Sequence, residues 1–359
     1  MINTYIGAEV IISPLGKNLV ENFAATRENR SGISLVEGAG FNKNAIYLSQ
    51  ISAVHTFQSL IADALMQVKA EIDPEIFSSE RTILIISSTK GALAQDINDQ
   101  FSSSVAFIRR EFALKNQPLV ISNACVSGVL SINVACNLIK SGIYDHAIVA
   151  GCDLLSDFVI YGFQSLFAMS DQPCAPFDAE RNGITMGEGC SAVVVSGSYD
   201  IFSQAPLNLL QGTTANDANH ISGPSRTGEG LYRTVKKTLE MNGLAVKDID
   251  FISAHGTATI YNDEMESVAF DRLGLNQVPM NSMKGYFGHT LGAAGVIETA
   301  ISMSMMREGV LIKSLGFKQQ GTSKELNIIQ QNTTAELNTI LKTASGFGGG
   351  NASLVIQKR

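Results

Sequence analysis

Tryptophan is missing from this 359-residue chain, and cysteine and histidine occur only five times each. The cysteines, at 125, 136, 152, 174 and 190, are odd in number and none forms a C-x-x-C pair. A disulfide framework and a metal site are therefore not expected, whereas a reducing cytoplasm is. Long apolar runs are also lacking, since none approaches the roughly 20 residues that cross a bilayer. The first nine residues have no basic stretch followed by an apolar core, so they do not read as a signal peptide. Basic residues are outnumbered, 26 against 33 acidic, and the net charge of −7 argues against a nucleic-acid-binding face. What remains is a soluble chain with an ordinary 45% of hydrophobic residues. Its length exceeds what one core usually holds. Two fused halves are predicted, 1–200 and 201–359, with no low-complexity linker between them and hence one compact body.

Strand and helix signals alternate along the chain. Strands are predicted over 1–12, 82–88, 118–121, 146–152 and 191–195, the one at 118–121 buried. One long core helix is predicted over 46–68 from the spacing of Ile51, Val54, Phe57, Leu60, Ile61, Ala64 and Leu65. Residues 95–115 read as mostly helical and 153–177 as an irregular cover. In a second series, strands at 207–213, 249–254 and 278–283 alternate with helices at 228–242, 262–273 and 290–308. Closing strands fall near 309–315, 341–345 and 352–357. This order predicts an α/β fold, a mostly parallel sheet with helices on both faces, built from a duplicated unit.

The segment Asn123-Ala-Cys-Val-Ser-Gly128 lies where a strand hands over to a helix with apolar residues at Leu130, Val134 and Leu138. Unpaired N–H groups at a helix start favour an anion, so Cys125 is a candidate nucleophile with a lowered pKa. Taken alone, such a cysteine is more often an inert core residue. Two histidines reverse that preference. His255, in Ser253-Ala-His-Gly-Thr257-Ala-Thr259, and His289, in Gly288-His-Thr-Leu-Gly292, each follow a strand beside glycine. The C-terminal ends of parallel strands share one edge, where ligands bind. His55 and His146 read as structural. The run Ser345-Gly-Phe-Gly-Gly-Gly-Asn351 is followed by a strand rather than by Gly-Lys-Ser/Thr and a helix, so it is neither a P-loop nor a Rossmann turn. Its bare amides suit a developing oxyanion.

Together these motifs resemble the β-ketoacyl-acyl carrier protein synthases of the thiolase superfamily, elongating Cys-His-His type, from about Leu119 onward. Further matching pieces are Pro176-Phe-Asp178-Ala-Glu-Arg181-Asn-Gly183, Gly187-Glu-Gly189, Asn262-Asp263, Lys284 and Glu298. The resemblance implies a thiolase-like fold, two duplicated α/β halves in a layered α-β-α-β-α body. It implies a decarboxylative Claisen condensation in fatty acid or polyketide/polyene biosynthesis. Cys125 would take the acyl group, and His255 and His289 would hydrogen-bond the malonyl thioester carbonyl. Backbone N–H groups of Cys125 and Phe347 would form the oxyanion hole, with Phe347 as gate. Lys284 would order the site in a pair with Glu298. Thr257, Thr259 and Ser222 would meet the pantetheine arm. No cofactor is implied, because the phosphopantetheine arm arrives on the acyl carrier protein. The implied partners are that carrier and a second subunit, identical or homologous, in a dimer.

The chain also departs from that family. The part before Cys125 is shorter than usual. The glycine-rich turn at the floor of the acyl pocket is Ser88-Thr-Lys90-Gly91, where Lys90 either caps the pocket or points into solvent. Ser345 replaces an aromatic residue and Gly350 a threonine. Phe167 stands where some bacterial relatives carry a carrier-docking arginine, and the helix over 46–66 lacks the basic residues used there. Docking of an acidic carrier is thereby left to other contacts or to a more basic partner subunit. The competing function is a non-catalytic, chain-length-factor-like subunit, but such subunits usually replace the cysteine that is present here. A biosynthetic thiolase would need a cysteine near the C-terminus, and the last is Cys190. Starter-unit synthases use Cys-His-Asn, whereas His289 holds the third place here.

Overall fold

The computed structural model describes residues 2–217, 223 and 225–358. In chain order come β1 (Tyr5–Ile12), α1 (Leu19–Arg27), β2 (Ile33–Val36), β3 (Ile46–Ser49), α2 (Phe57–Ala70), β4 (Thr82–Ser87) and α3 (Ser102–Glu111). Next are β5 (Leu119–Ile121), α4 (Ser127–Lys140), β6 (His146–Asp153), α5 (Asp157–Ser165), β7 (Met186–Gly187), β8 (Gly189–Ser196) and β9 (Leu207–Asn216). The chain continues with α6 (Glu229–Met241), β10 (Phe251–Ser253), α7 (Ile260–Leu273), β11 (Met280–Asn281), α8 (Lys284–Phe287) and α9 (Ala294–Glu308). It closes with β12 (Val310–Leu311), β13 (Thr333–Thr334), β14 (Thr339–Ser345) and β15 (Gly350–Gln357).

Ten strands form one sheet in the order β11-β10-β14-β15-β9-β1-β8-β6-β4-β5. Five of its nine pairings are antiparallel, so the sheet is mixed rather than mostly parallel as expected. The connections explain this. β14 and β15 are joined by a tight turn, which permits only antiparallel neighbours, while the parallel pairs at each end have helical crossovers. α2 packs on β1, β6 and β8, with α3 against it, and α6 packs on β9 and β15, with α7 against it. Between them, α4 and α9 touch strands from both ends of the sheet. Five layers result, α-β-α-β-α. The central layer holds the largest apolar cluster, including Ile132, Ile297 and Ile301. No helix among the described residues is long and apolar enough to cross a membrane.

Several predicted elements are corrected. The segment 46–68 is a strand and then a helix. Thr56 and Ser59 cap each other's backbone N–H groups at 3.1 and 3.0 Å, which starts α2 at Phe57. The Ile46-Tyr-Leu stretch before them is β-rich and pairs with β2. The helix expected over 95–115 begins only at Ser102, where the Asp99 carboxylate accepts the N–H groups of Ser102 and Ser103. The irregular cover at 153–177 contains α5. The strand expected to be buried, β5, is an edge strand, with Leu119 42% and Val120 36% exposed.

Helices α4 and α9 approach closely at two glycines. A Cβ on Gly128 would lie 2.8 Å from the backbone N of Val296, and one on Gly295 2.6 Å from that of Val129. The turn carrying Cys125 is thus seated on the helix carrying Glu298. Gly128→Ala must push these backbones apart and is expected to lower stability by about 2 kcal/mol, read as a lower urea midpoint at unchanged m-value.

Candidate active site

Each of the three candidate residues is presented by a turn with fixed amides. Cys125 follows Ala124, whose φ of 44° marks a sharp bend. The Ser127 hydroxyl locks this bend, accepting the Asn123 N–H at 2.7 Å and donating to the Ala124 carbonyl at 2.6 Å. His255 leaves the end of β10. Its own N–H and that of Gly256 are held by the buried Glu266 carboxylate, and those of Thr257 and Ala258 by Asp263. Burial and the neighbouring Asp263 push Glu266 up to about 7. His289 follows α8, with its N–H bonded to the Thr185 carbonyl at 2.7 Å.

The structure brings the three together. The Cys125 Sγ and one ring nitrogen from each of His255 and His289 lie within 4.8 Å of one another. The two rings stand edge to face at 5.4 Å. Burial, then the charge of Lys284, pushes both histidines well below the usual range, so both are neutral at pH 7. Their tautomers follow from their partners. The Leu291 N–H donates to His289 Nδ1 at 3.1 Å, and Lys284 Nζ stands 3.3 Å from His255 Nδ1. Each imidazole therefore carries its proton on Nε2 and offers an N–H donor. Three such groups so close could suit a metal ion by spacing alone. With Nδ1 committed as acceptor, however, Nε2 has no lone pair to give, and Lys284 repels a cation.

Behind the histidines, the Glu298 carboxylate bonds Lys284 at 2.6 Å and Lys342 at 2.5 Å. Lys284 also donates to the His255 carbonyl at 2.6 Å. The turn between β14 and β15 rests on Cys125, since a Cβ on Gly346 would lie 3.1 Å from the Cys125 N. The Phe347 N–H donates to the Cys125 sulfur, and the Phe347 ring stacks on Phe163 at 5.6 Å. The expected fall in the Cys125 pKa is not found. Burial pushes the thiol up to about 11, against the pull of Lys284 and of the Phe347 N–H. Cys125 precedes the helix cap Val126 and is cut off from water, so desolvation outweighs the helix end.

A cavity of about 460 Å³ leads to this group, lined among others by Thr257, Thr259, Phe347, Cys125, His255 and His289. The Thr257 and Thr259 hydroxyls are 2.9 Å apart. Ser222 lies outside the described residues. Lys90 is not among the residues lining this cavity, and its ammonium stands 5.8 Å from the ring centroid of the exposed Phe158. His146 bonds Ser196 in the sheet. The cavity rim is largely apolar, with Leu166, Ile260 and Tyr261 exposed and Phe167 95% exposed, and the exposed Asn182 and Arg226 also line it. Sequence reading missed Lys342 and Phe163. For Lys342, the available signal was a lysine in the middle of an otherwise uncharged strand.

Residues 87–200 match the family described as Beta-ketoacyl synthase, N-terminal domain, and residues 209–318 match Beta-ketoacyl synthase, C-terminal domain. The chain is 31% identical over 266 residues to 3-oxoacyl-[acyl-carrier-protein] synthase 2 of Rhizobium meliloti, covering 70% of this chain and 62% of that protein. It is 26% identical to Nodulation protein E of Rhizobium leguminosarum bv. trifolii, covering 77% and 71%. The chain thus spans less than two thirds of the 3-oxoacyl synthase it matches. A ketosynthase solved in complex with its chain length factor, from Xenorhabdus doucetiae, superposes with TM-score 0.88 at 25% identity over 99% of this chain and 98% of that one. A beta-ketoacyl synthase from Burkholderia phymatum has the same fold, with TM-score 0.88 at 21% identity over the whole of both chains.

The buried thiol dictates a pH response. The rate of Cys125 alkylation by iodoacetamide, followed on its own peptide by mass spectrometry, is expected to rise about tenfold per pH unit from 7 to 9. A plateau in that range would contradict a thiol held near 11.

Proposed function

The chain belongs to the β-ketoacyl synthase family, and from that premise we propose that it is an elongating 3-oxoacyl-acyl carrier protein synthase of fatty acid or polyketide biosynthesis. The observation that carries this reading is one sulfur and two ring nitrogens within 4.8 Å at the end of a cavity. In acyl transfer, the Cys125 sulfur attacks a carrier thioester. A new C–S bond forms, the old one breaks, and the thiol proton leaves on the pantetheine thiol, so no proton is gained or lost. The N–H groups of Cys125 and Phe347 hold the tetrahedral oxyanion.

A malonyl thioester then places its carbonyl oxygen against the two Nε2–H donors. Its carboxylate C–C bond breaks, CO2 departs, and the electron pair moves onto the enolate oxygen between His255 and His289. The enolate carbon attacks the acyl group, and the Cys125 thiolate leaves and takes a proton from water. Neutral imidazoles suit this step because they stabilise the enolate without protonating it. The reaction as written needs no cofactor beyond the carrier's pantetheine arm, which Thr257 and Thr259, both in the cavity wall, are proposed to meet.

The carrier is proposed to dock on the apolar rim around Phe167. A second copy or a homologous subunit is proposed to pair at the open edge strand β5, whose unpaired backbone and exposed Leu119 and Val120 invite another strand. The five unpaired cysteines suit a reducing compartment such as the cytoplasm. A non-catalytic, chain-length-factor-like role is the weaker reading, because the reacting trio is complete.

Cys125→Ala is expected to leave the fold intact and abolish acyl-enzyme formation; an acylated variant by intact mass spectrometry would refute the assignment of the nucleophile. His289→Ala is expected to slow malonyl decarboxylation about 100-fold while acyl transfer changes less than about threefold. Equal loss of both half-reactions would contradict this division of roles.

A further inference from the structure

Lys284, expected from the sequence to order the site, shares its carboxylate partner with a second buried lysine, Lys342, that the reaction above leaves without a role. Lys342 stands in β14 with no solvent exposure, its Nζ 2.5 Å from Glu298 Oε2, while Lys284 takes Oε1 at 2.6 Å. Lys342 Nζ also reaches the carbonyls of Ser253 and Ala254, at 3.3 and 3.5 Å, the last two residues before His255. Burial pushes the Lys342 ammonium below the usual lysine range, and the Glu298 carboxylate works against that loss; an ammonium seated 2.5 Å from a carboxylate oxygen keeps its proton. If Lys284 and Glu298 stood alone, their charges would cancel. With Lys342 added, the cluster carries one net positive charge, and the ammonium facing His255 and Cys125 is Lys284.

We propose that Lys342 is a positioning residue that takes up the charge of Glu298, so that the positive charge of Lys284 acts uncompensated on Cys125 and His255. This deepens the proposed function, but its electrostatic content stands on the cluster itself. An uncompensated cation beside Cys125 favours the thiolate, and beside His255 it favours neutral imidazole and an enolate oxygen. The direction agrees with the forces on these groups: Lys284 pulls the Cys125 thiol down and Glu298 pushes it up. Asp153 also faces Cys125, and Glu266 faces Lys342 from α7. Both are retained in every variant below.

The test is site-specific alkylation of Cys125 by iodoacetamide in the full chain, read by mass spectrometry between pH 7 and 9. Lys342→Met keeps the side chain's bulk and removes its charge. Its alkylation rate is expected to be about tenfold below that of the unmodified protein at each pH. Adding Glu298→Gln restores the net charge of the cluster, and the double variant is expected to return to within about threefold. Lys342→Met reacting at the unmodified rate overturns the proposal. So does a double variant no faster than the single one, which is the behaviour of a merely structural ion pair. If Lys342→Met does not fold, the double variant decides alone: folded and fast supports the proposal, folded and tenfold slow overturns it, and unfolded overturns it by making Lys342 a packing residue. Alkylation needs neither carrier nor malonyl substrate, so an absence of condensing activity refutes the proposed function without touching this result.

Discussion

The carboxylate of Glu298 holds an ammonium on each of its oxygens in surroundings almost empty of water. Removing charges from water costs several kcal/mol per ion unless the geometry is tight and the remaining protons find acceptors. Here the backbone supplies them. Lys342 is bonded to the carbonyls of Ser253 and Ala254, and Lys284 to that of His255. The ion cluster is therefore fastened to the end of β10, the point from which His255 projects. The cluster holds the imidazole in place from behind, and Glu266 and Asp263 hold the amides of the same turn from α7. Rigid backbone on both sides leaves the ring little freedom to turn.

Dryness sets the protonation states and does so with opposite sense for the two kinds of group. It keeps both imidazoles neutral, which a pair of hydrogen-bond donors requires, and it keeps the thiol protonated, which a nucleophile does not. One cation improves both. A positive charge at Lys284 disfavours an imidazolium and favours a thiolate, so a single side chain moves His255 and Cys125 each toward its useful form. A helix start alone does not achieve this. Cys125 lies ahead of the cap, and its burial outweighs the favourable end of α4.

Cys125 and His255 were legible because each follows a strand beside a small residue or glycine, whereas His289, expected after a strand, follows the short helix α8 and was marked by its glycines. That placement survives even though the sheet is mixed, since Cys125 and His255 still follow strands of its parallel outer sections. What sequence could not show depended on distance along the chain. Lys342 and Glu298 are 44 residues apart, and a lysine in a strand reads as a solvent-facing residue until the layer covering it is known. β5 was misread for the converse reason. Leu119-Val-Ile has the composition of a buried strand, and only the strand order reveals that it closes one edge of the sheet. The helix over 46–68 was overextended because its apolar spacing continues through Ile51. The Thr56–Ser59 cap, a local signal, marks the true start.

Depth constrains what can react here. Cys125 is only 7% exposed on the wall of its cavity, so the proposed substrate would have to arrive on something long and thin. Aromatic and aliphatic side chains, with Asn182 and Arg226, ring the entrance, and the chain as a whole carries a net charge of −7. An acidic body bringing such an arm meets overall repulsion at long range and apolar contact at short range. If such a body docks here as proposed, Phe167 and Tyr261 offer it apolar contact and Arg226 a single positive charge, and salt would screen the long-range repulsion. The entrance pairs these apolar side chains with the exposed Arg226, whereas the two buried lysines keep their charge beneath the imidazoles, out of reach of anything that stays at the rim.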